Sequence, residues 1–261
     1  MSAPRERVAR AFRRGLPSYH AEARVQAESA ARLAELLAAD GAGPRLERVF
    51  EFGCGTGLLT RALLSRFEIG TFHANDLVAE AAAHLPPGPR QGFRAGPIEE
   101  LPLDGQYDLI ASGATIQWIA DPRALLARLA AHLAPGGRLL LGGFGRGHFA
   151  EVAALGAPAP LFYADPDEWR DLLPPGLELR MVERRHSVLG FDDLPQLLRH
   201  LRATGVTGNA RARWGRADLR AAEADWRARH ALADGRLGLS YDCVHLVARR
   251  DGDIGPSHRI R

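Results

Sequence analysis

Val49–Gly57, V-F-E-F-G-C-G-T-G, constrains this chain more than any other stretch. An apolar run closing on an acid enters a loop with glycines at 53, 55 and 57. Leu58, Leu59, Leu63 and Leu64 then recur at helical spacing. Strand, glycine loop and helix make the first βα unit of a nucleotide-type α/β fold. Gly53 and Gly55 let the backbone turn tightly and approach a ligand, and Gly57 lets the next helix start close against the sheet. The spacing is G-x-G-x-G. The pyrophosphate-cradling pattern G-x-G-x-x-G needs a glycine at 58, where Leu58 stands, so a dinucleotide dehydrogenase is disfavoured.

A pyrophosphate requires bare amides at a helix N-terminus. An acid such as Glu51 at a strand end suits a ligand of positive charge instead. S-adenosylmethionine carries a sulfonium and an ammonium group and no phosphate. The alternative is a tight βα turn with no ligand. A second acid, Asp76, lies 19 residues past Gly57. That is the usual place for a carboxylate that holds the ribose hydroxyls. It also reads as an N-cap for a helix starting at Val78.

The length of 261 residues and the 46% hydrophobic content suit one large domain with a sizeable core. No apolar run approaches the roughly 20 residues of a membrane span. The opening M-S-A-P-R-E-R-V-A-R has no apolar signal core, so a cytoplasmic location is expected. Cys54 and Cys243 form neither a disulfide framework nor a metal pattern, and no metal site is expected. Cys54 reads as a small filler of the glycine loop. Net charge is +3 and all 34 basic residues are arginine. Between 199 and 220, six arginines (199, 202, 211, 213, 216, 220) face one acid, Asp218. Such a patch favours an acidic partner. No interleaved aromatics or recognition motif support nucleic acid.

Taken in order, residues 5–14 read as a basic helix that Gly15-Leu16-Pro17 breaks, with Ser18 capping a second helix to about 39. This pair is either a lid over a cofactor or simple packing on the sheet. Strands are expected at about 46–52, 69–75, 91–95, 107–112 and 138–144, with a tight turn at Pro135-Gly136-Gly137. Helices are expected at 58–67 and 123–133. Strands one and four flank the switch point of the sheet, so residues 112–118 should line the site, Trp118 among them. A weaker sixth strand (177–189), helices at 192–203 and 216–229, and a closing strand (240–249) follow.

This order of parts resembles a class I S-adenosylmethionine-dependent methyltransferase. The resemblance is closer still to the malonyl-[acyl-carrier protein] O-methyltransferases of biotin synthesis, and it covers nearly the whole chain. A-F-R-R-G-L-P-S-Y-H-A-E-A-R-V-Q resembles that family's A-F-x-x-x-A-x-x-Y-x-x-x-A-x-x-Q. I-Q-W matches its x-Q-W after strand four. F-D-D-L-P-Q-L-L-R-H-L-R-A-T-G-V-T-G-N and L-S-Y-D-C-V-H-L-V-A-R-R resemble its substrate-side helix and last strand. The resemblance implies a Rossmann-like α/β fold: a seven-stranded, mostly parallel sheet with an antiparallel last strand, plus a helical cap. A single domain then spans 1–250. It comprises a lid (1–40), a cofactor core (45–145), substrate-side helices with the sixth strand (146–235) and the last strand (239–250). A polar tail follows at 251–261.

The resemblance also implies site roles. Glu51, Gly53 and Gly55 approach the methionine end of the cofactor, and Asp76 holds the ribose. Leu77 flanks the adenine, with Ile98 and Glu99 at its edge. Ser112 and Gln117 lie near the sulfonium, and Tyr19 closes the pocket. Tyr19, Gln117 and Trp118 shape the reacting centre. Arg199, Arg202, Thr207 or Asn209 hold the malonyl thioester or its carrier. Two departures stand out. The family's G-D-I-E is Gly96-Pro97-Ile98-Glu99 here, so Pro97 offers neither a side-chain acceptor nor an N–H. Its S-N after strand four is Ser112-Gly113. The implied reaction is methyl transfer from S-adenosylmethionine to the free carboxylate of a malonyl thioester on acyl carrier protein or CoA, leaving S-adenosylhomocysteine. A monomer acting on an acidic carrier or malonyl-CoA, with no nucleic acid and no membrane, is expected. The alternatives are a methyltransferase for another small carboxylate and, further off, a non-catalytic cofactor-binding protein.

Overall fold

A computed structural model describes residues 3–88, 90–153, 162–204 and 215–252. The chain opens with helices α1 (Ala3–Glu22) and α2 (Arg24–Ala39). Strands β1 (Arg45–Phe52), β2 (Glu68–Asp76), β3 (Gln91–Ala95), β4 (Tyr107–Ala114) and β5 (Leu133–Phe144) follow. Helices α3 (Leu58–Arg66) and α4 (Pro122–Ala131) lie between them. The second half holds short helices α5 (Ala150–Ala153) and α6 (Trp169–Leu172), strand β6 (Leu177–Phe191), helices α7 (Leu194–Ala203) and α8 (Arg216–His230), and strand β7 (Leu237–Arg250).

The strands form one seven-stranded sheet in the order β3-β2-β1-β4-β5-β7-β6. All pairs from β3 to β5 are parallel, and β7 runs antiparallel to both β5 and β6. The order reverses between β1 and β4, and a crevice opens there at the carboxyl ends of the strands. The strands are apolar on both faces because helices cover both. Phe50, Phe52, Ile110, Leu139, Leu141 and Leu246 point toward α4 and its Leu125, Leu126 and Leu129. The alternate residues Val49, Leu109, Leu140 and Val247 join Leu33, Leu37, Leu59 and Leu63 of α2 and α3. The antiparallel pair of β6 and β7 extends beyond this core, and α7 and α8, which connect them in the chain, pack on it in a third cluster around Leu197, Trp226 and Tyr241.

Three expectations need correction. The break expected at Gly15-Leu16-Pro17 does not occur: α1 runs through Pro17 to Glu22, and the chain turns at Ala23 (φ −87°, ψ 46°). Pro17 removes one helical hydrogen bond, a cost of about 3 kcal/mol in a helix interior. Burial of Leu16 and of the apolar side above it outweighs that cost. Ser18 is no cap, since its hydroxyl donates to the carbonyl of Gly15. The turn at 135–137 lies inside the β5 ladder: Tyr107 pairs with Leu133 and Leu109 with Arg138, so the extra residues form a bulge.

The helical pair divides its work. α2 packs on the sheet through Ala30, Leu33 and Leu37. α1 lies over the crevice and turns Val8, Phe12, Leu16 and Tyr19 into it. Among the described residues no helix is long and apolar enough to cross a membrane.

Candidate functional site

The crevice holds a cavity of about 200 Å³. Its floor is the glycine loop after β1. Gly53, Gly55 and Gly57 all have positive φ, at +63°, +52° and +75°. A Cβ on Gly53 would lie 1.9 Å from the Thr115 hydroxyl, so the loop after β1 and the loop after β4 approach to backbone distance. Cys54 is buried, and desolvation pushes its thiol well above the ordinary range, which suits a filler and not a nucleophile.

Two acids stand in this wall. Glu51 is 1% exposed and accepts a hydrogen bond from the Thr60 hydroxyl at 2.7 Å. Burial pushes its carboxyl up to about 8, and Asp76 nearby pushes the same way. Asp76 ends β2 and is also raised by burial. Its Oδ2 accepts from the Gly55 amide and its Oδ1 from the Val78 amide, both at 2.8 Å. The capping role weighed for Asp76 is not what the structure shows: Val78 stands at the N-cap of the short helix Ala79–His84 without a side-chain capping bond, and Asp76 instead fixes the turn into it and lines the cavity. Each oxygen keeps a lone pair for a ligand hydroxyl. No arginine bonds either acid among the described residues. A buried carboxyl, Glu51, and a half-buried one, Asp76, thus stand in the wall without a basic partner among the described residues.

A second wall is Leu77 with Gly96, Pro97, Ile98 and Glu99. Asn75, 1% exposed, ties this loop down by donating to the carbonyls of Arg94 and Gly96, both at 2.9 Å. Arg128 holds the Ile98 and Leu101 carbonyls. Arg5 of α1 crosses the cavity mouth to Glu99 at 2.9 Å and Glu100 at 2.5 Å.

The opposite end is more apolar. Phe12, Leu16, Trp118, Ile119 and Phe144 line it, with Tyr19, Gln26 and Ser29 as the polar members. Phe12 stands edge-on to Trp118, with centroids 5.6 Å apart. Among the described residues Trp118 Nε1 is a buried donor without a partner, and Gln26 Oε1 a buried acceptor without one. Tyr19 is pushed up to about 12 by burial and then by the charge of Asp76, so its hydroxyl stays protonated.

The cavity thus brings together Tyr19, Glu51, Gly53, Gly55, Asp76, Leu77, Ile98, Glu99 and Trp118 of the expected set. Ser112 and Gln117 are not in its lining, which corrects both. Ser112 is fully buried and donates to the Phe52 carbonyl, pinning β4 to β1. Gln117 is 5% exposed and donates to the Ala114 carbonyl, bracing the turn that presents Trp118. Arg199 and Arg202 lie on the outer face of α7, outside the cavity. Thr207 and Asn209 lie outside the described residues, as do Arg211 and Arg213.

Sequence reasoning missed Arg5, Phe12, Asn75 and Gln26. Phe12 and Gln26 open and close the A-F…A-x-x-Q pattern and were the two with a visible signal. Arg5 and Asn75 had none, because their roles depend on where α1 and the β3 loop meet.

The reversal of strand order at β1 and β4, the antiparallel β7 and a glycine loop backed by two acids define a class I S-adenosylmethionine-dependent methyltransferase. Residues 20–174 match the family described as "Methyltransferase domain". The malonyl-[acyl-carrier protein] O-methyltransferase of Chlorobium luteolum is 34% identical over 92% of this chain and 93% of its own length. A biotin biosynthesis bifunctional protein of Bordetella avium is 36% identical over 78% of this chain, which spans 44% of that longer protein. The crystal structure of a Bacillus halodurans C-125 protein, 14% identical, shares the fold with a TM-score of 0.61 over 84% of this chain and 98% of its own. The chain belongs to the malonyl-[acyl-carrier protein] O-methyltransferase family.

Proposed function

We propose that the protein transfers a methyl group from S-adenosylmethionine to the free carboxylate of a malonyl thioester carried on an acyl carrier protein, giving the methyl ester that primes biotin synthesis. The observation that supports this acceptor best is the apolar end of the cavity. There an unpartnered Trp118 N–H and a protonated Tyr19 hydroxyl are the donors beside Phe12, Leu16 and Phe144.

When bound, S-adenosylmethionine supplies a methyl group on a positive sulfur, a leaving group that departs as a neutral thioether. The acids Glu51 and Asp76 suit its ammonium and ribose. A malonyl carboxyl, with an ordinary pKa near ~4, is ionised at neutral pH, so no side chain has to remove a proton. The work of the chain is orientation and exclusion of water. Alignment of two reactants in a site can contribute roughly 7–11 kcal/mol. Tyr19 and Trp118 donate to carboxylate or thioester oxygens and fix their direction. Phe12, Leu16 and Phe144 keep water from the nucleophilic oxygen. Arg199 and Arg202, outside the cavity, meet the acidic carrier and not the reacting atoms.

Labelled S-adenosylmethionine and malonyl carrier protein test this reading. A base-labile labelled methyl ester on the carrier is expected, and label that never reaches the carrier sinks the proposal.

A further inference from the structure

α1 has two faces. With 3.6 residues per turn, Val8, Phe12, Leu16 and Tyr19 fall on one side and line the cavity. Arg7, Arg10 and Arg14 are exposed and project from the other side, roughly half a turn away. The remaining arginines of α1 are neutralised: Arg5 pairs with Glu99 and Glu100, and Arg13 with Glu80 at 2.7 Å. Arg7, Arg10 and Arg14 pair with no acid among the described residues. Many exposed arginines elsewhere pair at short range, as in Arg24–Glu28, Arg146–Glu168 and Arg229–Asp225, whereas Arg199 and Arg202, like the three on α1, pair with no acid among the described residues. Helix α7 packs against α1, with His200 within 3.6 Å of Glu22. Arg199 and Arg202 are exposed on α7. The acids of α1 itself are Glu6 and Glu22.

From this we infer that the outer face of α1, centred on Arg7, Arg10 and Arg14 and continued by Arg199 and Arg202, docks the acidic helical surface of the carrier protein, on the back of the helix that roofs the cofactor cavity. This rests on the proposed function for the identity of the partner. The stripe from Arg7 to Arg14 is about 10 Å long, at 1.5 Å rise per residue, a match for one exposed acidic helix. A nucleic acid would need a longer basic track with stacking aromatics, which this face lacks. Because the roof and the docking face are one helix, carrier binding and cofactor binding are coupled, and the coupling is reciprocal. A carrier pressed onto the arginines holds Phe12 and Tyr19 against the cavity while its arm reaches in.

The test compares two acceptors, malonyl carrier protein and malonyl-CoA, on wild type and on Arg7→Glu/Arg10→Glu/Arg14→Glu. The variant is expected to raise KM for malonyl carrier protein on the order of tenfold or more at low salt, as lost electrostatic complementarity does, and to change malonyl-CoA turnover less than about twofold. High salt should shrink the difference. The lysine variant Arg7→Lys/Arg10→Lys/Arg14→Lys keeps the charge and should keep the carrier KM. Equal losses on both acceptors, or no loss on either, overturn the docking face. If wild type methylates neither acceptor, the function fails separately, and direct binding of unacylated carrier protein then decides. Salt-sensitive binding lost in the glutamate variant supports the face, whereas absent binding, or tighter binding of a short duplex, overturns it.

Discussion

Arg5, in the first turns of α1, reaches Glu99, in the loop after β3, at 2.9 Å, so the roof of the cavity is tied to the wall formed by that loop by a half-buried ion pair. Exposed pairs contribute little, but this one bridges 94 residues of sequence and closes the cavity mouth. Arg5→Ala is expected to weaken cofactor binding by up to about fivefold, as a pair of roughly 0.2–1 kcal/mol would, and to leave the melting temperature nearly unchanged. Isothermal titration with S-adenosylmethionine measures the first, and thermal unfolding of the free protein the second. Pro97 gives this tether added weight, because at that position the wall offers neither a side-chain acceptor nor an N–H.

Glu51 sets a pH dependence. In the free protein its carboxyl is raised to about 8, above the value near ~4.3 of an unfolded chain. Between those values the folded protein binds a proton that the unfolded chain does not. Stability from this group is therefore greatest below the lower value and is lost as pH rises toward 8. Glu51→Gln should flatten the fall in melting temperature between pH 5.5 and about 8. A cationic ligand favours the ionised form, so cofactor binding at pH 7 should release up to about one proton. Calorimetry in buffers of different ionisation enthalpy measures it, and heats independent of buffer contradict it.

Gly53 tests the floor. Its φ of +63° and the Thr115 hydroxyl 1.9 Å from a would-be Cβ leave alanine no room. Gly53→Ala is expected to destabilise the protein by about 1–3 kcal/mol and to abolish detectable cofactor binding. Denaturant unfolding with a parallel binding assay checks both. Gly55→Ala, at φ +52° with open space around the Cβ, should cost less.

Much of this was legible in the sequence, for identifiable reasons. The G-x-G-x-G spacing forces positive-φ turns, and the double-sided apolar strands require helices on both faces, so the fold and the floor of the cavity followed. Ser112 and Gln117 were misjudged because position after β4 fixes a loop but not a side-chain direction. One donates to Phe52 and the other to Ala114. Pro17 was misjudged because local propensity cannot weigh the packing of Leu16 and Tyr19 on a distant loop. Arg5 was invisible for the same reason, and the A-F…Q pattern marked Phe12 without its contact: their partners, Glu99 and Trp118, are brought near only by the tertiary fold.

Trp118 separates acceptor from cofactor. Trp118→Phe keeps an aromatic ring against Phe12 but removes the unpartnered N–H. It is expected to lower kcat/KM for the malonyl thioester up to about tenfold, the worth of one hydrogen bond of 0.5–1.5 kcal/mol, with cofactor affinity unchanged. Steady-state kinetics varying each substrate in turn tests this, and a loss confined to the cofactor contradicts it.

The free carboxylate of the acceptor is the central claim, and intact-protein mass spectrometry of the carrier tests it most directly. Malonyl carrier protein and acetyl carrier protein, which lacks that carboxylate, are each incubated with the protein and S-adenosylmethionine. The malonyl carrier should gain the mass of one methylene and the acetyl carrier none. Methylation of both to the same extent, or of neither, would contradict the account.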